Sequence, residues 1–314
     1  MTDTSQAFQG ENATLINSNR VQQLDSLTRQ ILNLKVSLAL GDLPQLPSPK
    51  AIAGVDDSAH SGSENGTADS ASSSGSGVRQ PVFTEEDFCS KLFAPLGDVP
   101  EPDKLKKRLL EDLADPIPIH QHSYDMLKEV DQNVLEKTFC IVEKTGKICP
   151  FLTPRVEAAL QVTNVGVGTK AMQQHVLDAF LMGIFETAQK YLEAAIQINR
   201  NARKAIPELD RRPNFLLMLN GSLVFTGEQN LGGNISKHAG KVKDKVLKTL
   251  VGNCEIKYIP CYTTAGSEVL FHCICGSQEI VECSDILNLE ELCDRVTMII
   301  ILVNIMRVVR SISQ

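Results

Sequence analysis

The sequence contains no tryptophan, and aromatic residues make up only 5% of its 314 positions. So few aromatic side chains argue against a stacking platform for bases or sugars. Acidic residues outnumber basic residues by 38 to 31, and the net charge of −7 argues against a generally basic protein that coats nucleic acid. The hydrophobic content of 42% fits a globular chain of one or two domains.

The sequence also predicts neither a targeting segment nor a membrane-spanning segment. Residues 1–20 have no basic stretch followed by an apolar core, so the sequence predicts no secretory signal peptide. The most apolar run, 296–303, is shorter than the roughly 20 residues of a membrane span and is flanked by Arg295 and Arg307. We interpret it as a buried helix and expect no membrane partner. Nine cysteines, an odd number, predict reduced thiols in the cytoplasm or nucleus.

The first 80 residues divide into a helical segment and a low-complexity segment. Within residues 1–42, apolar side chains recur every three or four positions, which is the spacing of a short coiled coil. This helix, 12–41, either docks on its own chain or serves self-association and protein partners. Residues 43–80 include eight serines and four glycines within 58–77, and they predict a disordered linker.

From residue 81 on, the pattern is that of a folded chain. It predicts a helical region over 81–168, opened by Thr84 as an N-cap, and a mixed α/β domain over 169–314. Asn220-Gly221 between two apolar runs predicts a β-hairpin. The sequence predicts helices at 104–113, 123–137, 169–198, 237–250 and 289–310, and strands at 215–219, 223–226, 255–261 and 268–275.

Two further segments are similar to functional motifs but do not match them. The segment 164–170 (NVGVGTK) precedes a helix but lacks the order and the final hydroxyl residue of a phosphate-binding Walker loop. Cys273 and Cys275 alternate along a predicted strand, and with Cys254 and Cys261 they match no paired zinc spacing. We therefore expect these cysteines to pack in the core.

The polar ends of the predicted hairpin carry the strongest chemical signal. Metal-dependent nucleases of the PD-(D/E)xK type hold Mg²⁺ with an aspartate near the start of one strand and a glutamate on the next. A lysine two residues after the glutamate stabilises the charge that develops in the transition state. Here Asn214 stands in the aspartate position, Glu228 is retained, and Asn230 stands in the lysine position. We expect a degenerate site, with weak Mg²⁺-dependent phosphodiester hydrolysis led by Glu228 or with none.

The residues around this hairpin resemble a known family. The segments RRPNFLLMLNGSLVFTGEQN (211–230) and YIPCYTTAGSEVLFHCICG (258–276) are separated by a lysine-rich helix. This arrangement is similar to the nuclease-like domain of Crinkler-type effectors, in which an R-P-D-F strand, a G-E-E-K strand, a helix and a further strand recur in this order. The resemblance covers about residues 170–310 and is strongest over 199–276.

The resemblance carries expectations about fold and site. It implies a restriction-endonuclease-like core with an antiparallel hairpin and flanking helices. It assigns metal binding to Glu228, with Mg²⁺ present where the site is active, and an assisting acidic residue to the first core helix, for which Glu186 and Glu193 are the candidates. It also implies delivery into host cells. The family's N-terminal header and kinase-like domain do not occur in these 314 residues, so we expect an intracellular protein.

Positive charge is concentrated in one segment. Residues 195–250 contain ten basic and four acidic residues, a charge of +6 within a chain of −7. Lysines that recur every three or four positions line one face of the predicted helix, where they can contact the phosphate backbone of DNA or RNA regardless of its sequence. The expected nucleic-acid-binding residues are Lys237, Lys241, Lys245, Lys248, Arg211 and Arg212.

Two functional hypotheses follow from these patterns. The first is a Crinkler-type effector-like protein whose degenerate nuclease-like domain binds nucleic-acid backbone. The alternative is a non-enzymatic regulatory or protein-interaction module, left from a kinase-bearing architecture and presented to partners by the helix 12–41.

Overall fold

A computed structural model of the chain describes residues 83–162, 169–192, 194–200, 214–251 and 257–312. Contacts within the chain place all of these residues in one unit that begins at Gly77. Several of the predictions fall on residues outside these ranges. These predictions concern the helix 12–41, the linker 43–80, most of the segment 164–170, Cys254, Glu193, Arg211 and Arg212.

The first part of the described chain is helical, with one small parallel pair of strands. Thr84 caps the first helix, as predicted. The predicted single helix over 123–137 is wrong, because the segment splits at Asp131. The Asp131 carboxylate accepts hydrogen bonds from the N–H groups of Asn133 and Val134 and so begins a second helix. The elements are α1 (Glu85–Leu92), α2 (Pro102–Leu109), β1 (Ile117–Ile119), α3 (Gln121–Met126), α4 (Gln132–Thr138), β2 (Phe139–Ile141), α5 (Val142–Thr145) and α6 (Leu152–Leu160).

The second part is built on a seven-stranded sheet with helices on both faces. Its elements are α7 (Lys170–Tyr191), β3 (Ile196–Arg200), β4 (Phe215–Leu219), β5 (Ser222–Glu228), α8 (Ile235–Val251), β6 (Tyr258–Ala265), β7 (Glu268–Cys275), β8 (Ile280–Glu282), β9 (Leu287–Asn288) and α9 (Leu292–Ile312). The strands lie in the order β3-β4-β5-β6-β7-β8, and β9 pairs with β7. The predicted mixed α/β class, with an antiparallel hairpin and flanking helices, is confirmed.

The strand directions follow from the connections. Neighbouring strands are antiparallel except for β5 and β6, which are parallel and are joined through α8. A parallel pair needs a crossover of this kind, whereas an antiparallel pair needs only a turn. The turn between β4 and β5 is the predicted one. Asn220 and Gly221 both have positive φ, 51° and 81°, as the favoured two-residue hairpin turn requires.

The predicted helix over 169–198 is wrong at its end. Helix α7 stops at Tyr191, and residues 196–200 form the edge strand β3 instead. Ile196 pairs with Leu219 and Arg200 pairs with Phe215 across to β4. Pairing with a distant strand therefore decides the conformation of a segment whose local pattern also fits a helix.

The sheet separates two apolar cores. The larger core lies between the sheet and α7 and α9, and it includes Phe215, Phe225 and Tyr262. The smaller core lies under α8, where Val242 and Val246 pack on the other face of the sheet. Cys273 and Cys275 are buried in the larger core, as predicted.

Helix α9 runs through the larger core and binds the ends of three other helices. Its residues 296–303 are buried apart from two half-buried positions, which confirms the predicted buried helix. Its side chains donate to carbonyl groups at the C-terminal ends of α1, α2 and α6, which have no partner inside their own helices. The donor and carbonyl pairs are Arg310 with Phe93 (2.7 Å), Arg307 with Ala94 (3.3 Å), Asn304 with Leu109 (3.1 Å) and Arg295 with Leu160 (2.9 Å).

Among the described helices, α9 included, none has both the length and the apolar character that crossing a membrane requires.

Candidate functional site

The candidate site lies at the open end of the β4–β5 hairpin, where Asn214 precedes β4. The Asn214 N–H donates to the Gly227 carbonyl oxygen at 3.0 Å. Its side-chain Oδ1 accepts from the N–H of Gln229 at 2.9 Å. These two bonds hold the hairpin end together. The residue in the predicted metal-binding position therefore uses its side-chain oxygen to close the hairpin.

Glu228 is the last residue of β5 and lies in register with Thr263 of the parallel strand β6. It is half-buried. A Cβ atom on the preceding residue, Gly227, would point at the Tyr262 ring on the larger-core face. Successive side chains of a strand alternate between faces, so Glu228 leaves β5 on the face that carries α8.

Asn230 lies in the loop after β5 and is held by the turn between β6 and β7. Its N–H donates to Thr264 Oγ1 at 3.1 Å, and its carbonyl oxygen accepts from the N–H of Gly266 at 3.1 Å. Its Nδ2 is buried without a hydrogen-bond partner among the described residues. Asn230 and Gln173 of α7 both line a cavity of about 10 Å³, which has room for a water molecule and nothing larger.

Asn214, Glu228 and Asn230 therefore lie at one edge of the sheet, where β4 begins and β5 ends. Hydrogen bonds within this edge involve the side-chain oxygen of Asn214 and the backbone groups of Asn230. A nuclease would have a carboxylate at the first position and an ammonium at the second.

A charged network that the sequence analysis missed lies beside these residues, centred on Arg200 at the end of β3. The guanidinium forms an ion pair with Asp178 of α7. Its Nη1 donates to the Tyr262 hydroxyl at 3.3 Å and to the Asn214 carbonyl at 3.4 Å. With its side-chain oxygen turned toward Arg200, Gln229 accepts from both terminal nitrogens at 3.1 and 3.3 Å.

The sheet register explains why these groups meet. Arg200, Phe215, Gly227 and Tyr262 are successive partners across four strands, so their side chains share one face. Because Gly227 has no side chain, the Tyr262 ring can lie over it and bring its hydroxyl to Arg200. The Arg200 guanidinium also lies 5.0 Å from the centre of the Phe215 ring, within the range of a cation–π contact.

Burial sets the electrostatics of this network. It lowers the pKa of the Arg200 guanidinium, while the neighbouring Tyr262 hydroxyl raises it. Burial raises the pKa of the Tyr262 hydroxyl above its usual range, and Arg200 opposes that shift. An arginine starts from so high a pKa that it keeps its charge. The network at neutral pH therefore consists of a cation, a carboxylate and a neutral phenol.

Glu186, one of the two acidic residues proposed for the first core helix, is not part of this network. Glu186 of α7 lies 3.6 Å from Arg155 Nε of α6, measured at its Oε2, and Glu193 lies outside the described residues. Asp178, two turns before Glu186 on the same helix, is the carboxylate that reaches the strand ends.

The predicted basic face belongs to α8, which follows the site directly. At the start of this helix, the side-chain Oδ1 of Asn234 accepts a hydrogen bond from the Lys237 N–H at 2.9 Å. Lys237 and Lys241 are exposed, whereas Ala239 and Val242 of the same helix are buried. Positions 245 and 248 belong to α8, but the side chains of Lys245 and Lys248 lie outside the described residues.

One histidine connects the basic face to the loop before it. The Lys241 Nζ lies 3.4 Å from His238 Nδ1, and His238 Nε2 lies 3.0 Å from the Gly232 carbonyl oxygen. The position of Lys241 on the helix surface is thereby tied to the loop that follows β5.

A resident metal does not fit the residues of this site. Within the part of the chain that the structure describes, no three His, Cys, Asp or Glu side chains are grouped so that they could hold a metal ion. The amide oxygen of Asn214 is already bonded to the hairpin backbone. The Arg200 cation is adjacent to the Asp178 carboxylate that a metal would need.

Comparison of the chain with models of protein families, with curated proteins and with solved structures gave no match.

Proposed function

We propose that this chain carries a nuclease-like domain, similar to that of Crinkler-type effectors, whose degenerate site binds the phosphate backbone of a nucleic acid without cutting it. The order of elements supports the restriction-endonuclease-like part of this proposal. The hairpin β4–β5, the helix α8 and the strand β6 follow one another as the resemblance requires.

One observation supports the loss of cleavage above all others. The Asn214 side-chain oxygen accepts from the backbone N–H of Gln229, so the residue in the aspartate position stabilises the hairpin. A metal-dependent nuclease needs that position to bring a carboxylate to Mg²⁺, which activates water and neutralises the developing charge. Without it, and without an ammonium at position 230, the site lacks two of the three groups that the reaction uses.

Binding is supported by the exposed charges of α8. Lys237 and Lys241 lie one turn apart on a helix that begins at the same edge of the sheet as the site. Ammonium groups on an exposed face bind phosphates by releasing the counterions that surround a nucleic acid. Such binding weakens as the salt concentration rises and does not depend on base sequence.

Changing Lys237 and Lys241 together to alanine is expected to weaken binding to a mixed-sequence DNA duplex about tenfold or more at low salt. The slope of log affinity against log salt should become shallower by about 2, because each lysine accounts for about one phosphate contact. Fluorescence anisotropy from about 50 to 200 mM salt measures both quantities.

A matched control changes Lys91 and Lys144 to alanine. Both are exposed and lie on α1 and α5, so this variant removes the same charge elsewhere and should bind almost like the wild type. Equal losses in both variants would show that α8 is not the binding face. Undiminished binding in the α8 variant, or no DNA and RNA binding by the wild type, would favour the protein-interaction alternative.

The wild-type chain is expected to show no cleavage of DNA or RNA with Mg²⁺ or Mn²⁺ above the background measured with EDTA. The physical reason is the neutral amide at both Asn214 and Asn230. A gel assay on end-labelled duplex and single-stranded substrates tests this. Metal-dependent cleavage that disappears in Glu228→Ala would overturn the non-cutting part of the proposal.

A further inference from the structure

We propose that Gly240 is the point of α8 that the nucleic-acid backbone approaches most closely, and that a phosphate enters the gap that this glycine leaves between Lys237 and Lys243. This inference rests on the proposed function, because it takes α8 as the face that binds phosphates. It adds to that face a residue without charge, whose contribution is the space above it.

Gly240 lies in the interior of α8, which extends from Ile235 to Val251. Among the residues found inside helices, glycine is the least favourable apart from proline. Gly240 is not one of the described glycines with a positive φ, so the backbone conformation does not require it. An added Cβ would meet no atom of the described residues within 4 Å, so packing does not require it either. Glycine also serves where a backbone must let a ligand come close, and the open space above Gly240 fits that use.

The side chains around this gap are mainly groups that bind phosphate. The neighbours of a residue on a helix surface are three and four positions away. They are Lys237 and Lys243 at three positions, and Ser236 and Asp244 at four. All are exposed except Lys243, which is half-buried. Ammonium and hydroxyl groups donate to phosphate oxygens. Two cations and one hydroxyl therefore border the gap, together with one carboxylate.

The missing side chain determines how near a phosphate can come to both lysines. The attraction between opposite charges falls with their distance and is stronger where water is excluded. A side chain at position 240 would hold the phosphate away from the helix. The two lysines could then reach it only in fully extended conformations, which costs side-chain entropy. The contribution of Gly240 is therefore steric.

The substitution Gly240→Leu fills this space without changing the charge of the face. In the full chain it should weaken binding to a mixed-sequence DNA duplex about fivefold or more at about 50 mM salt. The slope of log affinity against log salt should become shallower by about 1, which corresponds to one lost phosphate contact. Fluorescence anisotropy measures both quantities. The melting temperature should stay the same or rise, because leucine favours a helix over glycine.

Two variants control for the added volume. Gly97 is exposed, and an added Cβ there also meets no atom within 4 Å, so Gly97→Leu should bind like the wild type. Gly240→Ala adds a single methyl group and should bind more tightly than Gly240→Leu. The inference is overturned if Gly240→Leu binds as tightly as the wild type, or if Gly97→Leu loses as much. It is also overturned if Gly240→Leu lowers the melting temperature, since the protein's own chain would then occupy the gap.

Removing the carboxylate beside the gap should have the opposite effect. Asp244→Asn is expected to tighten DNA binding about threefold, because a negative charge next to the phosphate is gone. This gain should disappear when Gly240→Leu is added, since the phosphate is then held away from position 244. Asp98→Asn makes the same change in net charge at an exposed position on a loop and should gain less. Equal gains from the two asparagine variants would reject a phosphate at this place.

The outcomes separate this inference from the proposed function. If the variant with both Lys237 and Lys241 changed to alanine loses binding while Gly240→Leu keeps it, α8 remains the binding face and only the role of Gly240 is lost. If the lysine variant binds like the wild type, or the wild type binds no nucleic acid, the proposed function fails and the role of Gly240 fails with it.

Discussion

Replacing Gly227 with alanine is expected to destabilise the folded chain by about 3 kcal/mol. A Cβ atom at position 227 would lie within the van der Waals radii of three atoms of the Tyr262 ring. That ring is fully buried and packs against Phe215 and Phe225, so it has no free space to move into. The overlap must be relieved by shifting β5 or by expelling the ring, and either change also breaks the hydrogen bond between Tyr262 and Arg200. Urea denaturation followed by circular dichroism measures the loss.

Gly240 provides the matched control. An added Cβ meets no atom within 4 Å there, and the residue lies inside α8. Gly240→Ala should therefore raise the free energy of unfolding by about 0.5–1 kcal/mol, because alanine favours a helix over glycine. The cause can be checked with Tyr262→Ala, in which the obstructing ring is absent. Gly227→Ala should cost far less in that background than in the wild type, and an equal cost would contradict the steric explanation.

Lowering the pH from 6.5 to 4 is expected to remove about 3 kcal/mol of stability through His272 alone. This side chain is fully buried in β7, and neither ring nitrogen has a hydrogen-bond partner among the described residues. Burial disfavours the charged ring and lowers the pKa of His272 to about 4, while the nearby Leu270 backbone opposes the shift. Between these pH values the unfolded chain binds a proton at His272 that the folded chain does not, so stability falls as the pH falls. Above pH 6.5 the contribution is constant, and below about 4 the loss levels off.

The test compares the pH dependence of unfolding in His272→Leu and in the wild type. A leucine cannot take up a proton, so this part of the pH dependence should disappear while the part caused by carboxyl groups remains. His175→Gln is the control, because His175 is exposed on α7 and its replacement should leave the wild-type slope unchanged. A wild-type slope retained in His272→Leu would show that the buried ring does not control acid stability.

The sequence was sufficient to predict those helices, strands and turns that a short segment specifies by itself. The Asn220-Gly221 turn requires two residues with positive φ, and few sequences other than Asn-Gly supply them. The largely apolar strand 268–275 and the apolar stripe of α8 can likewise be recognised from their own residues. By contrast, β3 depends on pairing with β4, and the alternation of apolar and polar residues within 196–200 does not identify that partner strand. For the same reason the predicted helix extended too far.

The candidate site could be predicted only in part. The motif positions Asn214, Glu228 and Asn230 follow from short spacings around one hairpin. The Arg200 network joins residues far apart in the chain, with Tyr262 62 positions after Arg200, so no spacing reveals it. One signal was available. The alternation of Ile196, Ile198 and Arg200 places a charge on the apolar side of a strand, and such a charge needs a buried partner.

The contacts of α9 also determine when the chain can fold. The carbonyl groups at the end of α1 are bonded by arginines 213 and 217 residues downstream. At the speed of a ribosome, that separation corresponds to roughly 10–40 s of synthesis. During this time α1, α2 and α6 have emerged without the partners that cover their ends and without the helix that fills their core. We therefore expect the folding of this unit to be completed only after α9 has left the exit tunnel.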